Sequence, residues 1–134
     1  MCFDYNKREL NSKIRKYDLI VFINKPNNIN LKNTKNYGWI KISNGEIIKS
    51  TCKKKVSNNP KKDWIIIGSF VFKNKFIFNL ILKRLFKKNY KVNNEYYLDT
   101  TIEIALKLGL KVGFIKVSKY KSWGTPKELG YFKK

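Results

Sequence analysis

The stretch DWIIIGSFVF, Asp63 to Phe72, is apolar almost without interruption, and its reading decides the fold. A strand with one face in water alternates polar and apolar side chains, so a continuous apolar run needs cover on both faces. DLIVFIN, Asp18 to Asn24, has the same character. Gly68 alone interrupts the longer run, and a glycine inside such a strand often marks close approach of another backbone or a ligand.

Helical patterns surround these strands. Leu10, Ile14 and Tyr17 share a face in NKRELNSKIRKY, and Phe76, Ile77, Leu80, Ile81 and Leu85 do so in NKFIFNLILKRLFKK. Asn93 or Asn94 is placed to cap a helix over EYYLDTTIEIALKLG, with Leu98, Ile102, Ala105 and Leu106 on one side and Gly109 as its stop. YGWIKISNGEIIKS, Tyr37 to Ser50, reads as a hairpin turning on Asn44-Gly45. KPNNINLKNTKN reads as a polar loop, LKVGFIKV as a last strand, and TPKELGYF as a helical turn opening at Pro126. Strands alternating with helices predict a single α/β domain over 1–134. It would have three layers, a mainly parallel sheet with helices on both faces, and one β-hairpin.

A net charge of +21 points toward nucleic acid, but the composition supplies another cause. Arg is confined to Arg8, Arg15 and Arg84 and alanine to Ala105, whereas Lys, Asn, Ile, Phe and Tyr abound. These are residues written with A/T-rich codons, and the lysines are scattered through every predicted element. Non-specific polyanion binding at low salt is expected, rather than a dedicated nucleic-acid function. No apolar run is long enough to span a membrane, and MCFDYNKREL lacks the apolar core of a signal peptide. The expectation is a soluble cytoplasmic protein with no membrane partner. With no His and only Cys2 and Cys52, zinc sites, Cys-His nucleophiles and disulfide frameworks are disfavoured.

Nine acidic residues leave few candidates for chemistry. Asp99 and Glu103 stand four apart on one predicted helix, where they could hold magnesium, although a solvated face is the commoner use of such acids. Glu95 suits the first turn of that helix. CKKKVSNNP places lysines after a strand, as phosphate binding wants. SWGTPKEL is either a surface turn or a flat aromatic wall beside backbone that a ligand can approach. No phosphate-binding loop, dinucleotide fingerprint or Ser/His/Asp set occurs.

The order YGWIKI, NGEI, CKKKVSNNP, DWIIIGSFVFKN, NNEYYLDTTIEIALKLGLKV and SWGTPKEL is more specific than any single piece. From about Asp18 to Leu129 it resembles the C-terminal half of the sugar-phosphate nucleotidyltransferases, which include glucose-1-phosphate thymidylyltransferases. These enzymes join an NTP to a sugar 1-phosphate and release pyrophosphate. The resemblance implies a Rossmann-like nucleotidyltransferase fold without its N-terminal part. It places Tyr37-Gly38 against the sugar, Lys54 (or Lys53, the lysine run being ambiguous) on the phosphate as the catalytic lysine, and Gly68 in the strand lining the pocket. Glu95 matches the Glu of Gly-Glu-Tyr-Tyr-Leu, and Trp123-Gly124-Thr125 would close the far side of the site.

The departures bear on activity. The family's Gly-rich triphosphate loop and its mid-chain magnesium Asp have no counterpart here, Ser122 stands where the second metal ligand would be, and no Pro follows the lysine. Mg2+ belongs to the full family reaction, and this chain carries no complete set of ligands for it. The expectation is a domain that contributes the sugar 1-phosphate side of a pocket and is inactive alone. It would act with a separately encoded nucleotide-binding half, or else be a non-catalytic sugar-phosphate or nucleotide-sugar binding remnant. A basic nucleic-acid-binding protein is the remaining alternative.

Overall fold

The two apolar runs are neighbouring strands of one sheet. In a computed structural model that describes residues 1–132, with side chains through residue 130, they form β2 (Leu19–Asn24) and β5 (Trp64–Phe72). The elements before β5 are β1 (Cys2–Asp4), α1 (Lys7–Ile14), α2 (Asn28–Lys32), β3 (Trp39–Ser43) and β4 (Glu46–Thr51). After it come α3 (Lys75–Lys87), α4 (Thr100–Lys107), β6 (Val112–Lys116), β7 (Ser118–Lys121) and α5 (Pro126–Phe132).

The five-stranded sheet has the order β4-β3-β5-β2-β6 and is mixed, which corrects the mainly parallel expectation. Only β2 and β6 run parallel, from Leu19 opposite Val112 to Ile23 opposite Lys116. β5 runs antiparallel to β2, and β3 antiparallel to both β4 and β5. Between β2 and β5 the chain runs through α2 and the β3-β4 hairpin, and β5 then enters beside β2 in the opposite direction. α3 and α4 carry it from β5 to β6, which lies on the other side of β2 and runs parallel to it. An apolar run reports burial on two faces; it does not report direction.

That double burial is literal in β2, where Leu19, Ile20, Val21 and Ile23 are at most 1% exposed. Leu19, Val21 and Ile23 face α3 and α4 through Ile77, Ile81, Leu85, Ile102 and Ala105. Ile20 and Phe22 face the other way, where Trp39, Ile65, Ile67 and Ile115 are covered by Leu10 of α1 and Leu31 of α2. Each fully buried aliphatic side chain contributes about 1.5–3 kcal/mol. No helix of the described residues is long and apolar enough to cross a membrane.

Local chemistry explains the boundaries. Asn44 (φ 50°) and Gly45 (φ 75°) make the hairpin turn as expected. Asn6 caps α1 by accepting from Glu9 N at 3.1 Å, and Asn74 caps α3 by accepting from Ile77 N at 2.9 Å. Within the stretch read as loop, Asn27 and Asn30 form a reciprocal capping box that starts α2. α4 is shorter than expected. Asn93 (φ 50°) and Asn94 (φ 63°) make a tight turn that bridges Val92 to Glu95, so neither caps a helix and Glu95 lies outside one. Gly109 (φ 73°) does end α4. The ribbon formed by β1 and β7 was not foreseen; strands of three and four residues carry too little pattern to read.

Candidate functional site

Open α/β sheets bind ligands beyond the carboxyl ends of their parallel strands. At those ends of β2 and β6 stand Lys25 and Lys116, whose ammonium groups lie 4.1 and 4.7 Å from the centroid of the Trp64 ring. Beside them Tyr37-Gly38 leads into β3, and the Gly38 carbonyl accepts from Ile66 N at 2.9 Å.

Gly38 is buried against a carboxylate. A Cβ there would overlap Asp99 Oδ2 and lie 2.8 Å from both Asp99 Cγ and Ile66 Cδ1, so no larger residue fits without displacing Asp99. Asp99 precedes α4 and makes no side-chain capping bond to it. Burial pushes its carboxyl up from 3.8 to about 6, against the opposing pull of Lys53. The neighbouring Cys52 thiol is pushed up to about 12, first by burial and then by the charge of Asp99. Glu103, its supposed partner, turns to solvent and pairs with Lys107 at 2.9 Å.

The lysine run is sorted by backbone geometry. Lys53 has φ 57°, a left-handed conformation rare outside glycine and asparagine. Its ammonium group donates to Asn36 O at 2.9 Å and lies 4.8 Å from the Tyr97 ring centroid, next to the Tyr37-Gly38 step. Lys54 instead lines a separate cleft of about 540 Å³ with Lys49, Lys55 and Lys91, and its carbonyl accepts from Thr51 Oγ1 at 2.6 Å. The structure therefore brings Lys53, and not Lys54, to Tyr37 and Gly38.

Glu128 ties SWGTPKEL to the same edge. Thr125 and Glu128 form a capping box for α5: Thr125 N donates to Glu128 Oε2 at 3.0 Å, and Glu128 N donates to Thr125 Oγ1 at 3.2 Å. The Glu128 carboxylate, 3% exposed, also accepts from Tyr37 Oη at 2.9 Å and Ser122 Oγ at 3.0 Å. Burial and then this bond hold the Tyr37 phenol up at about 12. Gly124 lies close by, its amide donating to Ser122 Oγ at 3.3 Å. Trp123 is half exposed. The sequence did signal Glu128 through the T-x-x-E spacing after Gly124. For the inward turn of Asp99 it gave no signal, because that depends on Gly38 arriving from another part of the chain.

Two other candidates stand apart. Gly68 (φ 80°) has open space where a Cβ would be, and it sits in a bulge where β5 spends two extra residues between its pairings with Ile23 and Val21. Glu95 is exposed and accepts from Tyr97 Oη at 2.5 Å, touching the site only through the ring beneath Lys53. Among the described residues no group of three or more Cys, Asp or Glu side chains converges to hold a metal, and Ser122 is committed to Glu128.

No protein-family model matches the chain, and no curated protein matches it. Among solved structures, the nucleoside-diphosphate-sugar pyrophosphorylase from Vibrio cholerae RC9 superposes with a TM-score of 0.69 at 14% identity. The match covers 90% of this chain and 48% of that one, so this chain spans about half the length of its structural neighbour. At this identity the likeness is one of fold: the chain is α/β, with a nucleotidyltransferase-like fold.

Proposed function

We propose that this chain is the sugar 1-phosphate-binding half of a nucleotidyltransferase-like domain, in which Lys53 pairs with the phosphate and Asp99 receives a sugar hydroxyl beside Gly38. The observation that carries this reading is the convergence of Tyr37-Gly38, Lys53 and Asp99 at the carboxyl ends of the parallel strands. An ammonium group and a carboxylate held a short way apart suit a ligand that is anionic at one end and rich in hydroxyl groups at the other. Lys53 replaces Lys54 as the phosphate group.

Transfer of a nucleotidyl group depends on positioning and on metal-assisted neutralisation of the triphosphate. Within this proposal the chain supplies the first for the sugar phosphate, and a nucleotide-binding half supplies the triphosphate loop and the Mg2+ ligands. The chain alone binds and does not turn over. Its +21 charge adds weak polyanion binding with a steep salt dependence, independent of the site.

Calorimetric titration with glucose 1-phosphate and N-acetylglucosamine 1-phosphate at fixed salt tests the reading. Saturable binding that Lys53→Ala weakens by about tenfold or more supports it. Equal binding of inorganic phosphate, glucose 1-phosphate and DNA by both forms would leave only the general charge and overturn it.

A further inference from the structure

β5 is third of five strands in the sheet order, yet half of one edge has no partner. β2 pairs with it from Ile65 to Phe72, whereas β3 pairs with it only at Trp64 and Ile65 before the hairpin leaves. Beyond the Ile66 N to Gly38 O bond at 2.9 Å, no described strand reaches that side. Burial follows the pairing. Ile65, Ile66 and Ile67 are buried, while Gly68 is exposed and Ser69, Phe70, Val71 and Phe72 are only partly covered.

The direction of the free groups can be read from the ladder. Lys73 N donates to Asp18 O at 2.9 Å, which aims residue 73 at the β2 side. From Phe70 to Phe72 the pairing with β2 is regular. Alternation therefore turns the amides and carbonyls of Phe70 and Phe72 to the open side. Phe76, just beyond the strand, is 72% exposed. An apolar strand with free backbone groups is a template for another strand, and the sequence places neither proline nor an inward charge on it as a guard.

We infer that this open edge is the docking site for an acidic polypeptide carrying the other half of the domain, which adds an apolar strand along Ser69–Phe72. The inference rests on the function proposed above and says where the second half attaches. Two observations select this occupant. The chain covers 48% of a neighbour whose fold it shares over 90% of its own length, which fits an occupant that carries the rest of such a fold. Each copy carries +21, so a second copy of this chain is repelled and an acidic partner is attracted. Backbone hydrogen bonds would supply the affinity, and the partly covered Phe70 and Phe72 would supply pockets between strands.

Amide hydrogen exchange at Phe70 and Phe72 tests this. It is measured on the chain alone and after mixing with the half of the Vibrio cholerae pyrophosphorylase that this chain does not match, expressed as a separate polypeptide. In the free chain these two amides are expected to exchange at least about tenfold faster than those of Val71 and Lys73, and to slow to the rates of those neighbours in the mixture. Phe70→Pro removes one edge donor without touching the β2 ladder and is expected to weaken the complex. Protection of Phe70 and Phe72 in the free chain, absence of a complex, or a complex that leaves both amides unprotected would overturn the docking site. Titrating glucose 1-phosphate into the free chain separates the two ideas. If no complex forms while the free chain still binds glucose 1-phosphate through Lys53, the proposed site stands and only the edge is removed.

Discussion

The carboxyl group of Asp99 fills the space that a side chain on Gly38 would need, with Asp99 Cγ 2.8 Å from the position of the missing Cβ. The two residues come from the start of β3 and the start of α4, so their contact fixes the hairpin against the helix. Gly38→Ala is expected to cost about 1–3 kcal/mol as an overpacked site. Asp99→Gly should return part of that loss when combined with it, because it removes the carboxylate and leaves Ile66 Cδ1 2.8 Å from the added Cβ. Melting curves of the two single variants and the double variant give the coupling. Additive losses would show that Asp99 is not what Gly38 accommodates.

Burial also makes Asp99 a source of pH dependence. Its folded-state carboxyl is raised from 3.8 to about 6, so between these values the folded chain holds a proton that the unfolded chain has released. Stability therefore falls as pH rises through this window and is flat above it, by up to about 3 kcal/mol. Asp99→Asn should flatten the profile between pH 4 and 6. An unchanged slope in urea titrations of the variant would place the effect on another group.

The same carboxylate opposes an anion at Lys53. The phosphate itself gains its second negative charge at about pH 6 and pairs better with Lys53 above it. Measured against Asp99→Asn, the sugar 1-phosphate affinity of the chain is therefore expected to decline as pH rises through about 6 and Asp99 ionises. Asp99→Asn should bind several-fold more tightly at pH 7 if phosphate is the dominant contact, and less tightly if the hydroxyl contact dominates. Calorimetry of both forms at pH 5 and pH 7 separates the two, and the same pH dependence in both would remove Asp99 from the site.

How much of this was legible in the sequence depends on range. The hairpin at Asn44-Gly45 and the stop at Gly109 were readable because each is a property of a few consecutive residues. The direction of β5 was not, because an all-apolar strand looks the same whichever way its neighbours run. The resemblance pointed to Tyr37-Gly38, and the structure sets that step beside Lys53 and Asp99. Which of Lys53 and Lys54 lies next to it turns on a positive φ at Lys53 that lysine does not advertise. Asp99 was weighed with Glu103 as a magnesium pair or a solvated face, and its inward turn depends on Gly38 arriving against it from another part of the chain.

Strain at Lys53 gives a further test. Left-handed backbone costs a non-glycine residue about 1–2 kcal/mol, and such strain persists where a function requires it. Lys53→Gly should leave the melting temperature unchanged or raise it, since relief of strain offsets the lost contacts with Asn36 O and the Tyr97 ring. It should also lower sugar 1-phosphate affinity as far as Lys53→Ala does, since both remove the ammonium group. Lys53→Ala keeps the strain and should lower affinity by about tenfold or more, the worth of a charge-assisted bond. Lys54→Ala, on the separate cleft, should stay within about twofold. The opposite ranking of Lys53 and Lys54 would return the phosphate role to Lys54.

Glu128 joins Tyr37 to the cap of α5, and its removal should be felt at both ends. Glu128→Ala deletes the acceptor for Tyr37 Oη, Ser122 Oγ and Thr125 N, leaving partly buried donors unpaired at about 1–3 kcal/mol for each group left without a partner. Glu128→Gln keeps an acceptor oxygen and removes the charge, and should cost less. The phenol of Tyr37 reports the change directly. Held up at about 12 in the folded chain, it keeps its proton after an unfolded tyrosine would have lost it, so stability falls as pH rises above about 10. In Glu128→Gln the phenol should titrate lower, because the repelling charge and the accepting carboxylate are both gone, and burial alone remains to hold it up. Ultraviolet titration of the two forms resolves this. An unchanged Tyr37 titration would mean that burial alone sets its value and that Glu128 serves only the cap of α5.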